Sequence, residues 1–443
     1  MTRPAPGTGT SGSIPGVPGV PGVPGAPDAA QAQRHILRVL VASQVLSGAG
    51  LAAGVTVGAL LARKMLGSTS LAGLPSALFT AGSALTAVAV GRMSQARGRR
   101  PGLAAGYLTG AVGSAGVITA AVLDNPVLLF LALFGYAAGT ATNLQARYAG
   151  ADLAHPSHRA RAVSTVLVAT TLGGVAGPNL AAPTGRLAAS IGVPALAGPF
   201  LLSGAAYALA ALVLAVRLRP DPLLMARGLA QADAVDTATA GAPDRREGRG
   251  SVVLGALVMV LTQLVMVAIM TMTPVHLHDH GHGTAASGLV IAVHIGAMYL
   301  PSPLTGWLVD RYGPLRIAAV SGVTLLAAGL LAATAPGDSV ALLALALGLL
   351  GLGWNFGLVS GTAIINDTVP LATRARTQGM ADVSIAIAGA TGGLSSGLVV
   401  AAAGYPVLAL TGGILALAVL PAVAATVTRA KTPLASDVPS DSP

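Results

Sequence analysis

The sequence has no cysteine and few acidic residues: 15 Asp plus Glu against 25 Lys plus Arg in 443 positions. Without thiols, disulfide bridges, thiolate metal ligands and haem-attachment motifs are all excluded. Aromatic residues make up 3% of the chain and charged residues 9%, whereas an ordinary soluble domain is about 25% charged. That leaves too little polar surface to cover a water-soluble fold of this length. No GxxxxGK[ST] loop occurs, which removes the phosphate cradle of a directly ATP-driven machine. No paired carboxylates and no Ser/His/Asp set can be assembled, so the chain reads as a non-enzyme with no resident cofactor.

What is present is apolar. Hydrophobic residues reach 53% and the mean hydropathy is +0.74. Apolar runs recur from Ile36 to Val427, most with the roughly 20 residues needed to cross about 30 Å of hydrocarbon. Splitting them at Pro, Gly and charge clusters predicts spans near 36–62, 69–91, 102–123, 127–149, 162–188 and 196–217, then 251–275, 285–308, 315–335, 339–363, 378–403 and 406–427. The expected fold class is an all-α integral membrane protein, twelve transmembrane helices in two six-helix halves. Its parts are a disordered Gly/Pro-rich tail over 1–33, a first half over 34–217, a polar connector over 218–250, a second half over 251–428 and a tail over 429–443. The first tail carries the Gly-Val-Pro repeat from Gly16 to Pro27.

The net charge of +10 sits in alternate short loops: Arg92, Arg97, Arg99 and Arg100; Arg159 and Arg161; Arg217, Arg219 and Arg227; Arg311 and Arg316; Arg374 and Arg376. This is the positive-inside pattern, and with an even number of spans it makes both termini cytoplasmic. Only Arg63, Lys64 and Arg186 fall on the other side. The charge reports topology and not a nucleic-acid partner. The expected setting is a bacterial inner (plasma) membrane, multi-pass, with lipid as neighbour, a small solute or metal ion as cargo, and a monomer as the working unit.

The halves repeat each other. Gly91 to Gly98 (GRMSQARG) and Gly306 to Gly313 (GWLVDRYG) lie 215 positions apart. Asp152 with Arg159-Ala-Arg161, and Asp367 with Arg374-Ala-Arg376, repeat that offset. Such a six-plus-six repeat belongs to transporters whose site lies at the midplane between halves.

The segment Gly306 to Arg316 (GWLVDRYGPLR) resembles the loop motif of the major facilitator superfamily, which follows the second span and recurs after the eighth. The resemblance covers residues 36–427 and implies a secondary transporter. It also implies a cytoplasmic gate at Gly91, Gln95, Gly98, Arg99 and Arg100 in the first half, and at Gly306, Asp310, Arg311 and Gly313 in the second. Gln95 stands where the family's Asp is usual, so a neutral hydrogen bond replaces a charged contact there. Gly173-Gly-Val-Ala-Gly177-Pro178 partly matches the family's antiporter motif, with Ala181 and Ala182 in place of its closing glycines. This supports a reading as proton-coupled drug or metabolite efflux, although the same residues also make a Gly/Pro bend for packing. The acidic residues all map to loops, termini or helix ends, with Asp152, Asp367 and Asp382 nearest the membrane at its cytoplasmic edge. With no deep carboxylate expected, His294 becomes the leading carrier of a coupling proton.

Residues 259–298 hold five of the ten methionines (Met259, Met266, Met270, Met272, Met298) and five of the eight histidines (His276, His278, His280, His282, His294). Met266 and Met270 share a helix face at i, i+4, as do His294 and Met298, while Met259 and Gln263 extend the first stripe inward. At about 1.5 Å per residue the two pairs reach similar depths. Thioether sulfur with imidazole nitrogen is a soft ligand set that suits Cu(I) better than Mg, Ca or Mn, and it avoids burying a carboxylate. The bland alternative is that the methionines pack and the histidine is a satisfied core residue. Between the spans, His276, His278, His280 and His282 form an expected extracytoplasmic capture loop. The runs MTMTPVHLHDHGHG (Met270 to Gly283) and HIGAMYLPSPLTGWLVDRYG (His294 to Gly313) resemble the CcoA-like branch of the family. Its copper importers carry MxxxM in span seven and HxxxM in span eight, and the branch also holds RfnT-like riboflavin importers. The resemblance implies copper uptake, with riboflavin or another small organic solute as the alternative.

Overall fold

In the computed structural model, which describes residues 26–51, 61, 64–65, 74–238 and 249–431, every regular element is helical. The first half comprises α1 (Ala26–Leu51), α2 (Leu74–Arg97), α3 (Arg99–Val122), α4 (Pro126–Ala151), α5 (Arg159–Ser190) and α6 (Gly198–Arg217). A connecting helix, α7 (Pro222–Ala238), follows. The second half comprises α8 (Arg249–Asp279), α9 (Thr284–Tyr299), α10 (Ser302–Tyr312), α11 (Pro314–Thr334), α12 (Val340–Thr368), α13 (Arg374–Ala403), α14 (Tyr405–Ala416) and α15 (Val419–Lys431). Nine stretches of the described residues are long and apolar enough to cross a membrane. Helices α1, α2 and α5, with 26, 24 and 32 residues, stand outside that nine.

Local chemistry sets the breaks. Asn125 starts α4 by accepting a hydrogen bond from Leu128 N at 3.0 Å, with Pro126 in the first turn. Ser339 does the same for α12 through Leu342 N at 3.4 Å, and such caps satisfy amides that a helix start leaves orphaned. The eighth predicted span divides at Leu300–Pro301 into α9 and α10, and the twelfth divides into α14 and α15.

Several expected boundaries shift. Helix α1 begins at Ala26, so the end of the expected tail is helical, and the connector at 218–250 contains α7. The family-like motifs are largely helical too: Gly91 and Gln95 lie on α2, and Gly306 and Asp310 on α10. Residues 1–25 with most of the Gly-Val-Pro repeat, Arg63, residues 239–248 and residues 432–443 lie outside the described residues.

Each half has an apolar core, around Ile36, Leu40, Leu103, Leu129 and Phe200 in the first and Val265, Ile269, Leu325, Leu347 and Leu358 in the second. The outer surface is also apolar: Leu394 and Leu398 are 75% and 74% exposed. Such side chains belong against lipid, where helices already satisfy their own backbone groups. The halves meet chiefly where α2 packs on α13 and α5 on α10, at the end carrying the arginine-rich loops.

Candidate functional site

At this basic end each half plugs a helix start of the other. Asp310 accepts hydrogen bonds from Ala160 N at 3.0 Å and from Arg161 N at 3.1 Å, and pairs with Arg161 Nε at 3.2 Å. Its repeat equivalent, Gln95, accepts from Ala375 N at 2.9 Å and Arg376 N at 3.3 Å, while its Nε2 donates to the carbonyls of Leu371 and Ala372. Oxygen lone pairs thus meet the orphaned amides at the positive ends of α5 and α13. Close approach needs glycine. A Cβ on Gly306 would lie 2.7 Å from Ala160 O and 2.6 Å from Ser164 Oγ. One on Gly91 would lie 3.0 Å from Ala375 O and 3.1 Å from Gly379 Cα. Gly98 and Gly313 turn the chain into the next helix at φ 97° and 91°, a region in which L side chains are strained.

Charges reinforce the plug. Arg99 binds Asp152 at 2.7 and 3.2 Å and Gln378 at 2.5 Å, all buried. Arg159 pairs across the halves with Asp367 at 2.9 Å. The Arg100 backbone amide donates to Asp221 Oδ2 at 2.7 Å, and Arg311 is exposed. Of the expected gate residues, the structure gathers Gln95, Arg99, Asp310 and the four glycines, with Arg100 joining through its backbone.

The expectation that carboxylates stay at helix ends fails at Asp382. It lies eight residues into α13, about 12 Å along the helix, with a side chain 3% exposed. Arg147 of α4, fully buried, donates to its Oδ1 at 2.8 Å, and Tyr148 Oη donates to the same oxygen at 3.1 Å. Arg147 also donates to Tyr148 Oη at 2.7 Å, to Thr362 Oγ1 at 3.2 Å and to the Leu144 carbonyl. The other oxygen, Asp382 Oδ2, is buried without a hydrogen-bond partner. Arg147 and Thr362 are repeat equivalents, 215 positions apart, that touch each other. Equivalent positions in contact lie on the pseudo-two-fold axis, so this cluster sits centrally between the halves. Sequence reasoning missed it because Arg147 and Asp382 correspond to Thr362 and Leu167, which carry no charge for an offset to reveal.

Helix α8 packs on α12 and α13, and α9 packs on α12. Met259 sulfur accepts a hydrogen bond from Thr362 Oγ1 at 3.7 Å, so the inner end of the stripe adjoins the Arg147 cluster. Gln263 Oε1 accepts from Trp354 Nε1 at 2.7 Å, and the Trp354 ring stands edge-on to Tyr299 at 5.8 Å. Met266 is buried and Met270 half-buried in one apolar cluster. On α9, Met298 packs against Gly351 of α12. Asn355 bridges the α9–α10 break, donating to Met298 O and Ser302 Oγ, both at 2.7 Å. His294 is fully buried. Its Nδ1 lies 2.8 Å from the Leu347 carbonyl, which can only accept, and its Nε2 has no partner. A neutral imidazole oriented through one nitrogen and open at the other has the geometry of a metal-ligating histidine.

The four outer histidines do not form one loop cluster. Helix α8 continues past Pro274 to Asp279, so His276 and His278 are helical. His276 contacts His280 at 4.3 Å between ring centroids and stacks on Tyr405 at 4.3 Å. His282 Nε2 lies 3.0 Å from Gly337 O, and His278 is exposed. Among the described residues no group of three or more His, Cys, Asp or Glu converges to hold a metal ion. In the antiporter-like segment, a Cβ on Gly173 would lie 2.2 Å from Val45 O, so this glycine seats α5 against α1.

The sequence signature of the Major Facilitator Superfamily matches residues 40–301 and 255–442. The chain is 58% identical over 392 residues to the uncharacterized MFS-type transporter YdeG of Bacillus subtilis, covering 88% of this chain and 91% of that protein. It is 30% identical over 359 residues to the riboflavin transporter RfnT of Brucella anthropi, covering 80% and 86%. Among solved structures it resembles the human organic anion transporter MFSD10, with a TM-score of 0.69 at 18% identity over 88% of this chain and 99% of that one.

Proposed function

The chain belongs to the major facilitator superfamily, and from that premise we propose that this transporter imports copper by alternating access. In this reading twelve spans form two six-helix halves in a bacterial plasma membrane, with both termini and the arginine-rich end cytoplasmic. The halves rock about a central site, and the Gln95 and Asp310 plugs hold the cytoplasmic side shut. The working unit is a monomer in lipid, with no resident cofactor and no nucleic-acid partner.

The observation that carries the cargo assignment is His294: buried in the membrane, oriented by the Leu347 carbonyl, and open at Nε2. Met298 one turn on, with Met266 and Met270 of α8, supplies the thioethers that a soft cation such as Cu(I) prefers. Met259 and Gln263 are the next contacts inward. His276 and His280, whose ring centroids lie 4.3 Å apart at the end of α8, are the first ligands at the outer mouth. A neutral imidazole is required for ligation, so uptake weakens wherever His294 is protonated.

A second reading, uptake of an organic solute such as riboflavin, draws on the Brucella anthropi relative and on the Gln263–Trp354–Tyr299 row, which offers an amide and two aromatic surfaces. Radiolabelled copper and riboflavin uptake into cells expressing the wild type, His294→Ala and Met266→Ala at matched levels separates the two. Copper accumulation above vector that collapses in both variants supports the first reading. Riboflavin accumulation with copper at vector level replaces it with the second.

A further inference from the structure

We propose that the gate at the basic end holds a binding site for a small monovalent anion of the halide class, formed by Arg374, Asn366 and Arg159, and that this ion ties the two halves together. The proposal rests on the transporter fold and the gate, and is independent of whether copper or an organic solute is the cargo.

The internal repeat leaves one arginine over. Asp152 and Asp367 are equivalents at the 215 offset, as are Arg159 and Arg374. Symmetry therefore calls for two crossed pairs, Arg159 with Asp367 and Arg374 with Asp152. The first forms at 2.9 Å. The second does not, because Arg99 of α3 holds both oxygens of Asp152, at 2.7 and 3.2 Å. The position equivalent to Arg99 is Pro314, so nothing in the second half displaces Arg159 in the same way. Arg374 is 7% exposed, is faced by Asp152, Arg159, Arg99 and Asp367, and donates through Nε to the Val369 carbonyl at 3.2 Å. Among the described residues it pairs with no carboxylate. The cluster thus holds three guanidiniums and two carboxylates. Arginine stays charged at every working pH, and a buried charge left over is costly.

Acceptors run short in the same place. Arg99 can only donate, so the Gln378 oxygen must face it, at 2.5 Å. The Gln378 nitrogen then faces Asn366 and donates to its Oδ1 at 2.6 Å. That fixes the Asn366 amide and leaves Nδ2, on a residue 1% exposed, as a buried donor with no acceptor. Arg159 spends Nη1 on Asp367, and its Nε is likewise buried and unmatched. Gln378 lies one turn beyond Arg374 on the same face of α13, so the relay from Arg99 ends beside the surplus guanidinium. Buried N–H donors without acceptors, around a single excess positive charge, are the complement of one small monovalent anion. A phosphate would bring more charge and more acceptor atoms than these donors match. The ion bridges the halves, since Arg159 starts α5 in the first while Asn366 lies near the end of α12 and Arg374 starts α13 in the second. A ligand held by both halves stabilises their closed form, and closure in turn tightens the ligand.

The test needs no cargo. The full chain in nanodiscs of zwitterionic lipid is exchanged into gluconate salts, and chloride replaces gluconate at constant ionic strength, which keeps screening of the gate apart from this site. Equilibrium dialysis reads the binding of radiolabelled chloride, and the unfolding temperature is followed against chloride concentration. Chloride should bind saturably at a single site per chain, with bromide competing. The unfolding temperature should rise with the logarithm of chloride concentration above the dissociation constant. Arg374→Gln and Arg159→Gln should each weaken binding about tenfold or more, the usual size of a lost hydrogen bond to a charge. Asn366→Asp should abolish binding, because a built-in carboxylate meets the same arginine. Arg92→Gln removes an exposed arginine at the same end and should leave binding unchanged. If Arg374→Gln does not fold, Asn366→Asp decides alone: it keeps every arginine, and its stability should no longer depend on chloride. Absence of saturable chloride binding overturns the proposal, as does wild-type binding in Asn366→Asp or equal weakening in Arg92→Gln. Wild-type binding in Arg159→Gln overturns the bridge between the halves. Stabilisation by phosphate or by anionic lipid, with none from chloride, assigns these donors to a phosphate and overturns the halide site.

Discussion

The two plugs of the proposed gate occupy equivalent positions and do the same geometrical work with different chemistry. Asp310 uses a charge: two amides of α5 and the Arg161 guanidinium all converge on one carboxylate. Gln95 uses a dipole: its oxygen takes the two amides of α13, and its nitrogen reaches back to two carbonyls just ahead of them. Charge-assisted hydrogen bonds are roughly twice as strong as neutral ones, so the α10–α5 side is the firmer seal. The Gln95 plug on the α2–α13 side makes four hydrogen bonds to the three of Asp310, with none of the salt sensitivity. A gate that must open benefits from one strong seam and one that yields first. The glycines agree with this order, since Gly306 is pressed more tightly on α5 than Gly91 is on α13.

The largest effect should come from breaking the tighter glycine contact. Gly306→Ala places a methyl 2.7 Å from Ala160 O and 2.9 Å from Arg161 Cα, and backbone atoms cannot rotate away. The closed form should weaken by about 2–3 kcal/mol. Gly91→Ala meets its neighbours at 3.0 and 3.1 Å and should lose about 1 kcal/mol. Alanine also favours a helix over glycine, but both gate states are helical there and the gain cancels. Distance distributions between spin labels at Arg217→Cys and Arg316→Cys, exposed positions in opposite halves of a chain without cysteine, measure both variants. Equal effects would mean that the two seams bear equal load.

Removing the plugs is the next step down. Asp310→Ala strips an anion from the start of α5 and should raise the open population by about 2 kcal/mol. Gln95→Ala removes neutral bonds only and should cost about 1 kcal/mol. Raising the ionic strength should reproduce part of the first change and none of the second, because Arg161 is 45% exposed and its pairing is screened. The same spectra across a salt series check the ordering, and a salt-sensitive α2–α13 seam would contradict it.

Much of this gate could be read from the sequence, because repetition at one offset exposes residues that do equivalent work. Gly91 with Gly306, Gln95 with Asp310 and Gly98 with Gly313 were recognisable before any coordinates, as was the loss of charge at Gln95. The offset could not say that the arginines cross over, so that Arg159 meets Asp367 of the other half. It was silent on Arg147 and Asp382, which break the repeat. Depth is hidden from the sequence for a related reason. Polar residues suggest helix ends, yet α13 starts at Arg374 and carries Asp382 inward with it. The histidines point the opposite way: alternation at 276, 278, 280 and 282 suggests one ligand set, but continuation of α8 through Pro274 to Asp279 puts His276 and His278 on different faces of a helix, and His280 and His282 lie beyond its end. For His294, spacing could place it beside Met298, and only the fold reveals which nitrogen is held and which is free.

The smallest effect is the most specific to the comparison. Gln95→Asp makes the first plug chemically equal to the second. The new carboxylate keeps the amides of Ala375 and Arg376 and faces Arg376, the equivalent of Arg161, but it loses the two bonds to the Leu371 and Ala372 carbonyls. An anion at a helix start contributes about 0.3–1 kcal/mol, and each lost neutral bond costs about as much. The net shift in gate population should therefore stay within about 0.5 kcal/mol of the wild type. What should change is the character of the seam: the α2–α13 side becomes salt-sensitive, and low ionic strength favours its closed form. If the variant instead stays closed at every salt concentration, the Gln95 amide is the weaker plug by more than its hydrogen bonds explain, and glutamine at this position holds the gate in a range where it can open.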